Sequence, residues 1–298
     1  SERRRCFLAT AIVLLPNMRI LAIGDFHGSF PKKFEKLIKK EKVDLVVSIG
    51  DFFPFHYRKL WFKHSYRSGI ELWEVIGKNK YKKLILRDLR GGEKALQALN
   101  KLPVPVITVV GNNDHGAARN DQYSRKQYSP SKWKWDNQDF LAKILKKYKN
   151  IKRFDYSYIK TGDYIFIGAY GGSSPGKVTS PAYRKHKKIL DKLFFRFRKE
   201  NKDKKVIFVS HNVPYNTRLD KITNKEADKG VKNKHYGSKL IGRVIEKWQP
   251  TLHIGGHIHE GFGKDKVKRT ICVNVGSCHK GEGVIIETGK EMKVKFIK

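Results

Sequence analysis

Short apolar runs that end in polar residues recur along the chain. Four or five mostly apolar residues precede Gly24, Gly50, Gly111, Ser210 and Gly255, and aspartate, asparagine or histidine follows within two residues. Runs of this length are typical of buried strands. Because ligands of open α/β sheets gather beyond the carboxyl ends of the strands, the polar residues after the five runs are predicted to converge on one site.

The segments between these runs predict helices and hairpins. Three amphipathic helices are predicted from apolar residues at helical spacing, in segments 34–38, 189–197 and 238–248. Two hairpins are predicted around Thr-Gly turns, from segments 154–159 with 164–167 and 284–287 with 292–297. Strands from both halves of the chain therefore predict two packed sheets with helices outside them.

Two aromatic-rich segments interrupt this pattern. Residues 52–92 and 116–138 mix phenylalanine, tyrosine and tryptophan with lysine and arginine. Long connections in compact domains are commonly lids or binding loops, so both are interpreted as insertions over the site. Aromatic side chains beside cations can stack nucleic-acid bases, and they can equally form a small additional core. The sequence leaves both roles open.

The polar residues of the five clusters have the chemistry of metal ligands. Two carboxylates, one amide oxygen and four imidazoles are sufficient to bind two divalent ions of the manganese, iron or zinc kind. A single Asp-Gly or Gly-His pair would indicate only a turn. The order of the clusters and their position at strand ends are what predict a two-metal hydrolase.

In this order the clusters resemble the signature of the calcineurin-like metallophosphoesterase superfamily: D-x-H, G-D, G-N-H-D or G-N-H-E, a lone His, then G-H-x-H. Segments 171–175, 210–220 and 256–260 further resemble its predicted archaeal phosphoesterases. The resemblance covers roughly residues 18–298. It implies a four-layer α/β/β/α sandwich and hydrolysis of phosphate esters.

The resemblance also implies a ligand for each metal position. One ion would be held by Asp25, His27 and His259, the other by Asn112, His211 and His257, with Asp51 bridging both. A bridging carboxylate holds two cations about 3.5 to 4 Å apart and allows them to clamp a phosphate. Manganese is the expected metal, with iron, zinc and nickel as alternatives.

One position departs from the family pattern. Asn113 stands where the superfamily has the histidine that protonates the leaving oxygen. An amide donates hydrogen bonds but gives up no proton, and loss of a general acid typically costs about 10² to 10⁴ in rate. Asn113 and Asp114 are expected to shape the leaving-group side, with His115 as an alternative donor. Without that donor, the rate should depend steeply on leaving-group pKa.

Composition adds a strong positive charge to this picture. The 298 residues include 64 Lys and Arg against 28 Asp and Glu, a formal charge of +36, while 39% hydrophobic residues are enough for a packed core. The charge indicates either attraction to nucleic acid or a lysine bias on solvated surfaces. Because the basic residues are spread over the chain and no RNA-recognition, KH or zinc-finger motif is present, surface bias is favoured.

The remaining features concern location and domain boundaries. Cys6, Cys272 and Cys278 lack C-x-x-C spacing, so a reducing, cytoplasmic location is predicted. Residues 1–17 resemble a signal peptide in their basic and apolar parts but are interpreted as an upstream extension. Residues 18–298 are predicted to form one domain, and no membrane association is expected. The oligomeric state is left open.

The sequence therefore predicts a metal-dependent phosphoesterase, preferably a phosphodiesterase, in which metal-bound hydroxide attacks phosphorus. A nuclease acting on RNA or DNA is the alternative enzyme. A catalytically silent scaffold of the same fold, which a retromer subunit of the superfamily exemplifies, is the alternative from another class. The natural substrate is not predicted.

Overall fold

The computed structural model describes residues 17–66, 68–115, 133–171, 178–224, 232–289 and 291–298. Two six-stranded mixed sheets form its centre. With strands numbered in chain order, the first sheet runs β12-β11-β1-β2-β3-β4 and contains Arg19–Ile23 (β1), Leu45–Ser48 (β2), Val106–Thr108 (β3), Ile151–Arg153 (β4), Gly283–Glu287 (β11) and Lys293–Ile297 (β12). The second runs β5-β6-β7-β8-β10-β9 and contains Tyr158–Thr161 (β5), Tyr164–Gly168 (β6), Val206–Asn212 (β7), Leu252–Gly256 (β8), Gly263–Val267 (β9) and Thr270–Asn274 (β10).

Helices cover the outer face of each sheet. Those on the first sheet are Lys33–Lys40 (α1), Arg58–His64 (α2), Leu72–Ile76 (α3), Lys78–Asn100 (α4) and Phe140–Leu145 (α5). Those on the second side are Pro181–Arg196 (α6), Arg198–Lys202 (α7) and Lys239–Trp248 (α8). Two short 3₁₀ turns, His259–Gly261 and Cys278–Lys280, follow β8 and β10.

Strand alternation separates the cores. In β1, Leu21 and Ile23 pack beneath the helices of the first sheet, whereas Ile20 and Ala22 face the second sheet. Successive side chains of a strand point to opposite faces, so one sheet contributes to two cores at once. A third core lies between the second sheet and its helices. The α/β/β/α sandwich predicted from the sequence is confirmed.

Parallel pairing places the ligand loops at common sheet edges. β1, β2 and β3 are parallel neighbours in the first sheet, and β6, β7 and β8 are parallel neighbours in the second. The carboxyl ends of parallel strands lie at the same edge, so the segments after β1, β2 and β3 are adjacent, as are those after β7 and β8.

The predicted helices and hairpins are present with shifted boundaries. The second predicted helix begins at Pro181, eight residues before its apolar stripe, because the Ser180 side chain accepts a hydrogen bond from the Tyr183 amide. The C-terminal hairpin forms as predicted. The first hairpin begins at Tyr158 rather than at residue 154, because Tyr156 adopts a positive φ of 51° and turns the chain.

The predicted insertion at 52–92 is mainly helical. It contains α2, α3 and the first part of α4, and its residues Phe52, Phe53 and Tyr57 are buried against the first sheet. Trp133 and Trp135 stack with ring centroids 4.8 Å apart and pack on the same core. These aromatic side chains therefore extend the core. Residues 116–132 of the other predicted insertion, and residues 1–16, lie outside the described part of the chain.

Within the described ranges, no helix combines the length and apolar character needed to cross a bilayer.

Candidate metal centre

The first two ligand loops are joined by their backbones. The Asp25 amide donates to the Gly50 carbonyl over 2.9 Å, and the His27 amide donates to the Asp51 carbonyl over 3.0 Å. These hydrogen bonds continue the pairing of β1 and β2 beyond the strand ends. The loops are thus fixed relative to each other before any side-chain contact is considered.

Four of the seven predicted ligands have left-handed backbones. Asp25, His27, Asp51 and His257 have φ angles of 53°, 45°, 59° and 74°. This region is unfavourable for residues with a Cβ, and such residues concentrate at functional sites when the surrounding structure enforces them. The turns direct side chains toward the centre at the cost of local strain.

The first ligand group surrounds Asp25. Its Oδ1 lies 3.2 Å from His259 Nε2 and 3.8 Å from His27 Nε2. Ligand atoms of these three residues all lie within 4.8 Å of one another. Two imidazoles and a carboxylate at this spacing are suited to a divalent ion of the manganese, iron or zinc kind.

The second ligand group surrounds His211. Its Nε2 lies 2.7 Å from Asn112 Oδ1, 3.1 Å from His257 Nδ1 and 3.7 Å from Asp51 Oδ2. Asp51, His211 and His257 also satisfy the 4.8 Å spacing. The two groups meet where the His257 amide donates to Asp25 Oδ2 over 3.2 Å. All seven predicted residues are therefore brought to one place.

The tautomer of His211 tests whether a metal fits this group. His211 Nδ1 lies 2.9 Å from the Ile49 carbonyl, which accepts only a proton-bearing nitrogen. In the neutral ring, Nε2 then carries a lone pair that faces the lone pairs of Asn112 and Asp51. A cation between these atoms resolves the repulsion, and a carbonyl that fixes the opposite ring nitrogen is typical of metal-binding histidines.

The electrostatics of the centre also favour cations. Although burial acts in the opposite direction, the hydrogen bond from His259 and the fields of the neighbouring imidazoles hold the pKa of Asp25 below its usual value. Burial, reinforced by His211, lowers the pKa of His257 to about 3 and keeps its lone pair available. Burial lowers the pKa of His211, but Asp51 and Asp25 outweigh it and raise the value. The field that attracts a proton there also attracts a metal ion.

Asp114 lies behind the ligands. Its buried carboxylate accepts hydrogen bonds from the amides of Asp51, Phe52 and Gly111, over 2.8, 2.6 and 2.7 Å. Burial and the Asp51 carboxylate raise the pKa of Asp114 to about 7, although the three amides lower it. Asp114 therefore clamps the loop after β2 to the loop after β3.

Asn113 and His115, the neighbours of Asp114, make different contacts. The Asn113 side-chain amide donates to Asp51 Oδ2 over 3.0 Å, and its backbone amide donates to Asp51 Oδ1 over 2.9 Å. His115 is buried, with its ring 5.8 Å from the Phe53 ring. Its carbonyl accepts a hydrogen bond from Phe140. The Asn113 side chain is thus directed at the Asp51 carboxylate.

Sequence reasoning did not find several supporting residues. A Cβ on Gly111 would lie 2.0 Å from Asp51 Oδ1, so the loop requires glycine there. The Ser277 hydroxyl donates to the Asp25 carbonyl over 3.2 Å. The turn of Gly276 and Ser277 after an apolar strand was visible, but nothing local linked it to a residue 252 positions away.

Comparisons with known proteins identify the family and the fold. The profile of the calcineurin-like phosphoesterase family matches residues 18–261. No curated protein matched the chain. One solved crystal structure superposes with a TM-score of 0.64 at 20% identity, covering 95% of this chain and 100% of the other. The protein TT1561 of Thermus thermophilus superposes with a TM-score of 0.51 at 15% identity, covering 93% and 98%.

These two structures support the fold alone, because their sequence identities are low. The solved structure of a novel archaeal phosphodiesterase has 13% identity and a TM-score of 0.41, covering 94% of this chain and 99% of the other. The family profile spans most of the chain and all seven predicted ligand residues, from Asp25 to His259. The chain belongs to the calcineurin-like phosphoesterase family.

Proposed function

We propose that the protein is a metal-dependent phosphodiesterase that uses two divalent cations. The observation that carries the proposal is the convergence of two ligand groups, one around Asp25 and one around His211, joined by the contact between His257 and Asp25. Their donor atoms come from strand ends of both sheets. When bound, two cations neutralise phosphate charge and make hydroxide available near neutral pH.

The positions of the ligands support the roles proposed for them. Asp25, His27 and His259 form one binding group. Asn112, His211 and His257 form the other, with Asp51 shared between them. Asn113 orients the Asp51 carboxylate, and Asp114 holds the backbone of the same loop. Manganese is the proposed metal, with iron, zinc and nickel as alternatives, because imidazole and carboxylate ligands suit all of them.

The charge of the centre favours a diester over a monoester. Within the described ranges, no lysine or arginine forms a hydrogen bond or ion pair with any of the seven ligand side chains, and Lys280 acts on His259 only through its charge. A monoester dianion requires more positive charge than a singly charged diester, and arginine is the common donor for phosphate oxygens.

A cytoplasmic location stays a prediction.

Nucleic acid is a second candidate substrate, favoured by the formal charge of +36. Binding of single-stranded RNA through phosphates should weaken with salt, with a log-log slope of about 0.7 per neutralised phosphate. Cleavage of RNA by the metal-loaded protein, lost together with ester hydrolysis in a ligand variant, would establish a nuclease. Salt-sensitive binding without cleavage would assign the charge to surface attraction.

The deciding experiment compares the wild-type protein with Asp51→Asn. Because Asp51 is shared by both groups, the variant should bind less metal and lose hydrolysis of an activated diester. Metal content is measured after equilibration with Mn²⁺, and turnover is measured on the same sample. Asp163→Asn, an exposed aspartate on the far hairpin, is the control. If Asp51→Asn bound two metals at wild-type affinity, the proposal would be refuted. If the wild-type protein bound metal but did not hydrolyse the diester, the catalytically silent scaffold would be favoured.

A further inference from the structure

His56 and Asp88 form a pair outside the seven ligands. His56 Nδ1 lies 2.5 Å from Asp88 Oδ1, and the His56 backbone amide donates to the same oxygen over 3.3 Å. The Asp88 side chain is 1% exposed, whereas the His56 side chain is 41% exposed. A buried carboxylate on one ring nitrogen fixes the orientation and tautomer of an imidazole whose other nitrogen faces outward.

A glycine pair in α4 makes this contact possible. A Cβ on Gly92 would lie 2.1 Å from the Phe53 ring, and one on Gly91 would lie 2.7 Å from Pro54 Cγ. Asp88 lies one helical turn before both glycines, on the same face. Glycine inside a helix costs about 1 kcal/mol relative to alanine. Here it allows the loop to rest on the helix backbone and brings His56 to Asp88.

The pair lies beside the loop that carries His27. The Gly28 amide donates to the Phe52 carbonyl over 2.8 Å, and a Cβ on Gly28 would lie 3.3 Å from the Gly91 carbonyl. His56 Cε1 lies 3.7 Å from the Cβ position of Gly91. Gly28 directly follows the ligand His27. The partly exposed His56 ring is therefore linked to the ligand loop through Gly91, which approaches both His56 and Gly28.

The surroundings of the pair leave the imidazole as the main partner of the carboxylate. Burial raises the pKa of Asp88, although hydrogen bonds from His56 lower it. Arg87 on α4 acts on Asp88 more weakly, through its charge. Among the residues that the structure describes, Asp88 Oδ2 has no hydrogen-bond partner. Gly28, which closely approaches the Gly91 carbonyl, directly follows the titratable residue His27 in the ligand loop.

We propose that His56 is a catalytic proton donor for phosphoester hydrolysis and that Asp88 is its positioning residue. The proposal rests on the function proposed above. A water oxygen forms the new bond to phosphorus, and the bond between phosphorus and the leaving oxygen breaks. The imidazolium of His56 transfers its Nε2 proton to the leaving oxygen. The attacking water releases a proton to solvent, and His56 takes one back.

This role fits the departure at position 113. The Asn113 amide is used by Asp51, so the usual position of the family's proton donor supplies no acid. His56 and its partner lie 32 residues apart in sequence, in a segment that carries no family motif. Because Asn113 supplies no acid, the sequence alone predicts a steep dependence of rate on leaving-group pKa. A proton donor at His56 predicts a shallow dependence, because it protonates the leaving oxygen.

The test uses Mn²⁺-loaded full-length protein and two methyl aryl phosphates that differ only in the leaving group, p-nitrophenolate or phenolate. His56→Gln should lower kcat for the phenyl ester by about 10² to 10⁴ and affect the nitrophenyl ester by less than about tenfold. The pH profile should lose the limb that falls as the acid deprotonates. Asp88→Asn should lower kcat by a larger factor than it changes KM. His64→Gln, in the neighbouring helix, should match wild type.

A second readout does not depend on activity. In the metal-free protein, ¹⁵N spectra should show neutral His56 with its proton on Nδ1, and Asp88→Asn should give a mixture of tautomers. A predominant Nε2–H tautomer in the wild-type protein would overturn the pair. Equal losses on both esters, together with a lower Tm, would show a structural role and overturn the catalytic one.

The two proposals can fail separately. Hydrolysis of the nitrophenyl ester that requires metal and is lost in His211→Ala supports the proposed phosphodiesterase, whatever His56 does. If that holds and His56→Gln keeps the wild-type ratio between the two esters, the His56 proposal alone is overturned. A wild-type protein that hydrolyses neither ester overturns both.

Discussion

Asn113 donates its backbone and side-chain N–H groups to the two carboxylate oxygens of Asp51, over 2.9 and 3.0 Å. Asn112, its neighbour, donates to the Asn113 side-chain oxygen over 3.0 Å. The amide at position 113 thus connects Asn112, a predicted metal ligand, to Asp51, the predicted bridge between the two groups. Its chemistry there is that of an outer-shell partner, which orients a ligand and tunes its basicity.

Asn113→Ala should therefore weaken metal binding. The variant keeps the backbone hydrogen bond to Asp51 but loses the side-chain one, and loss of such partners typically costs about 10- to 100-fold in metal affinity. Mn²⁺ affinity is measured by calorimetric titration, with thermal unfolding as a check on folding. Asn17→Ala, an exposed asparagine before β1, should bind like wild type. Unchanged affinity in Asn113→Ala would remove the outer-shell role.

Gly92→Ala should destabilise the protein. Its Cβ would lie 2.1 Å from the Phe53 ring and 2.8 Å from the Phe53 backbone, and overpacking of this kind costs about 1 to 3 kcal/mol. Gly242 is a matched control in α8, because the nearest atom to its Cβ position is 3.7 Å away. Gly242→Ala should stabilise by up to about 1 kcal/mol through helix propensity. Urea unfolding measures the change in the free energy of unfolding for each variant. Changes of the same sign in the two variants would contradict the prediction.

The sequence predicted what depends on short-range order. The strands of the centre are continuous apolar runs, and the predicted ligands lie at or just after the carboxyl ends of these strands. The positions of Asp25 and His211 could therefore be predicted without knowing where the chain goes next. Parallel pairing then brings the ligands together. The fold class followed from the same alternation of strands and helical stripes.

Features that depend on distant partners were not predictable in this way. The direction of the Asn113 side chain is decided by Asp51, 62 residues earlier. The aromatic residues after Asp51 resembled a loop because Gly91 and Gly92 interrupt the helical pattern of α4, and glycine normally lowers helix propensity. Only the contact of Phe53 with Gly92 explains why glycine is placed there.

Metal binding should stabilise the folded state. The ligand atoms converge only after both sheets have formed, so a cation binds the native protein far better than the unfolded chain. At a free Mn²⁺ concentration of 100 times Kd, the gain is about 2.7 kcal/mol. Removal of metal with a chelator should lower Tm accordingly, as followed by differential scanning calorimetry. The stabilisation by Mn²⁺ should be smaller in His257→Ala and unchanged in the control His64→Ala. A wild-type Tm that does not depend on metal would argue against the metal centre.

Asp191 should stabilise the protein in a pH-dependent manner. It accepts hydrogen bonds from Lys187 over 2.6 Å and from the Trp248 indole over 2.7 Å, and it pairs with Lys247, linking α6 to α8. Burial raises its pKa, but these partners outweigh burial and lower the value below 3.8. The folded state therefore releases this proton more readily than the unfolded chain. The stabilisation is present above pH 3.8 and is lost as the pH falls through the lowered pKa.

Asp191→Asn should accordingly cost no more than about 1 kcal/mol near neutral pH, since partly exposed ion pairs are weak and the amide can still accept from Trp248. As the pH falls from 3.8 through the lowered pKa of Asp191, the variant should approach wild-type stability, because the protonated carboxyl and the amide are then both uncharged. Urea unfolding at several pH values measures the difference. Asp163→Asn removes an exposed pair with Lys205 at 3.7 Å and should change stability by only a few tenths of a kcal/mol. A difference between Asp191→Asn and wild type that grows on acidification would contradict the linkage, because a carboxylate with a lowered pKa can only lose stabilising energy as it takes up its proton.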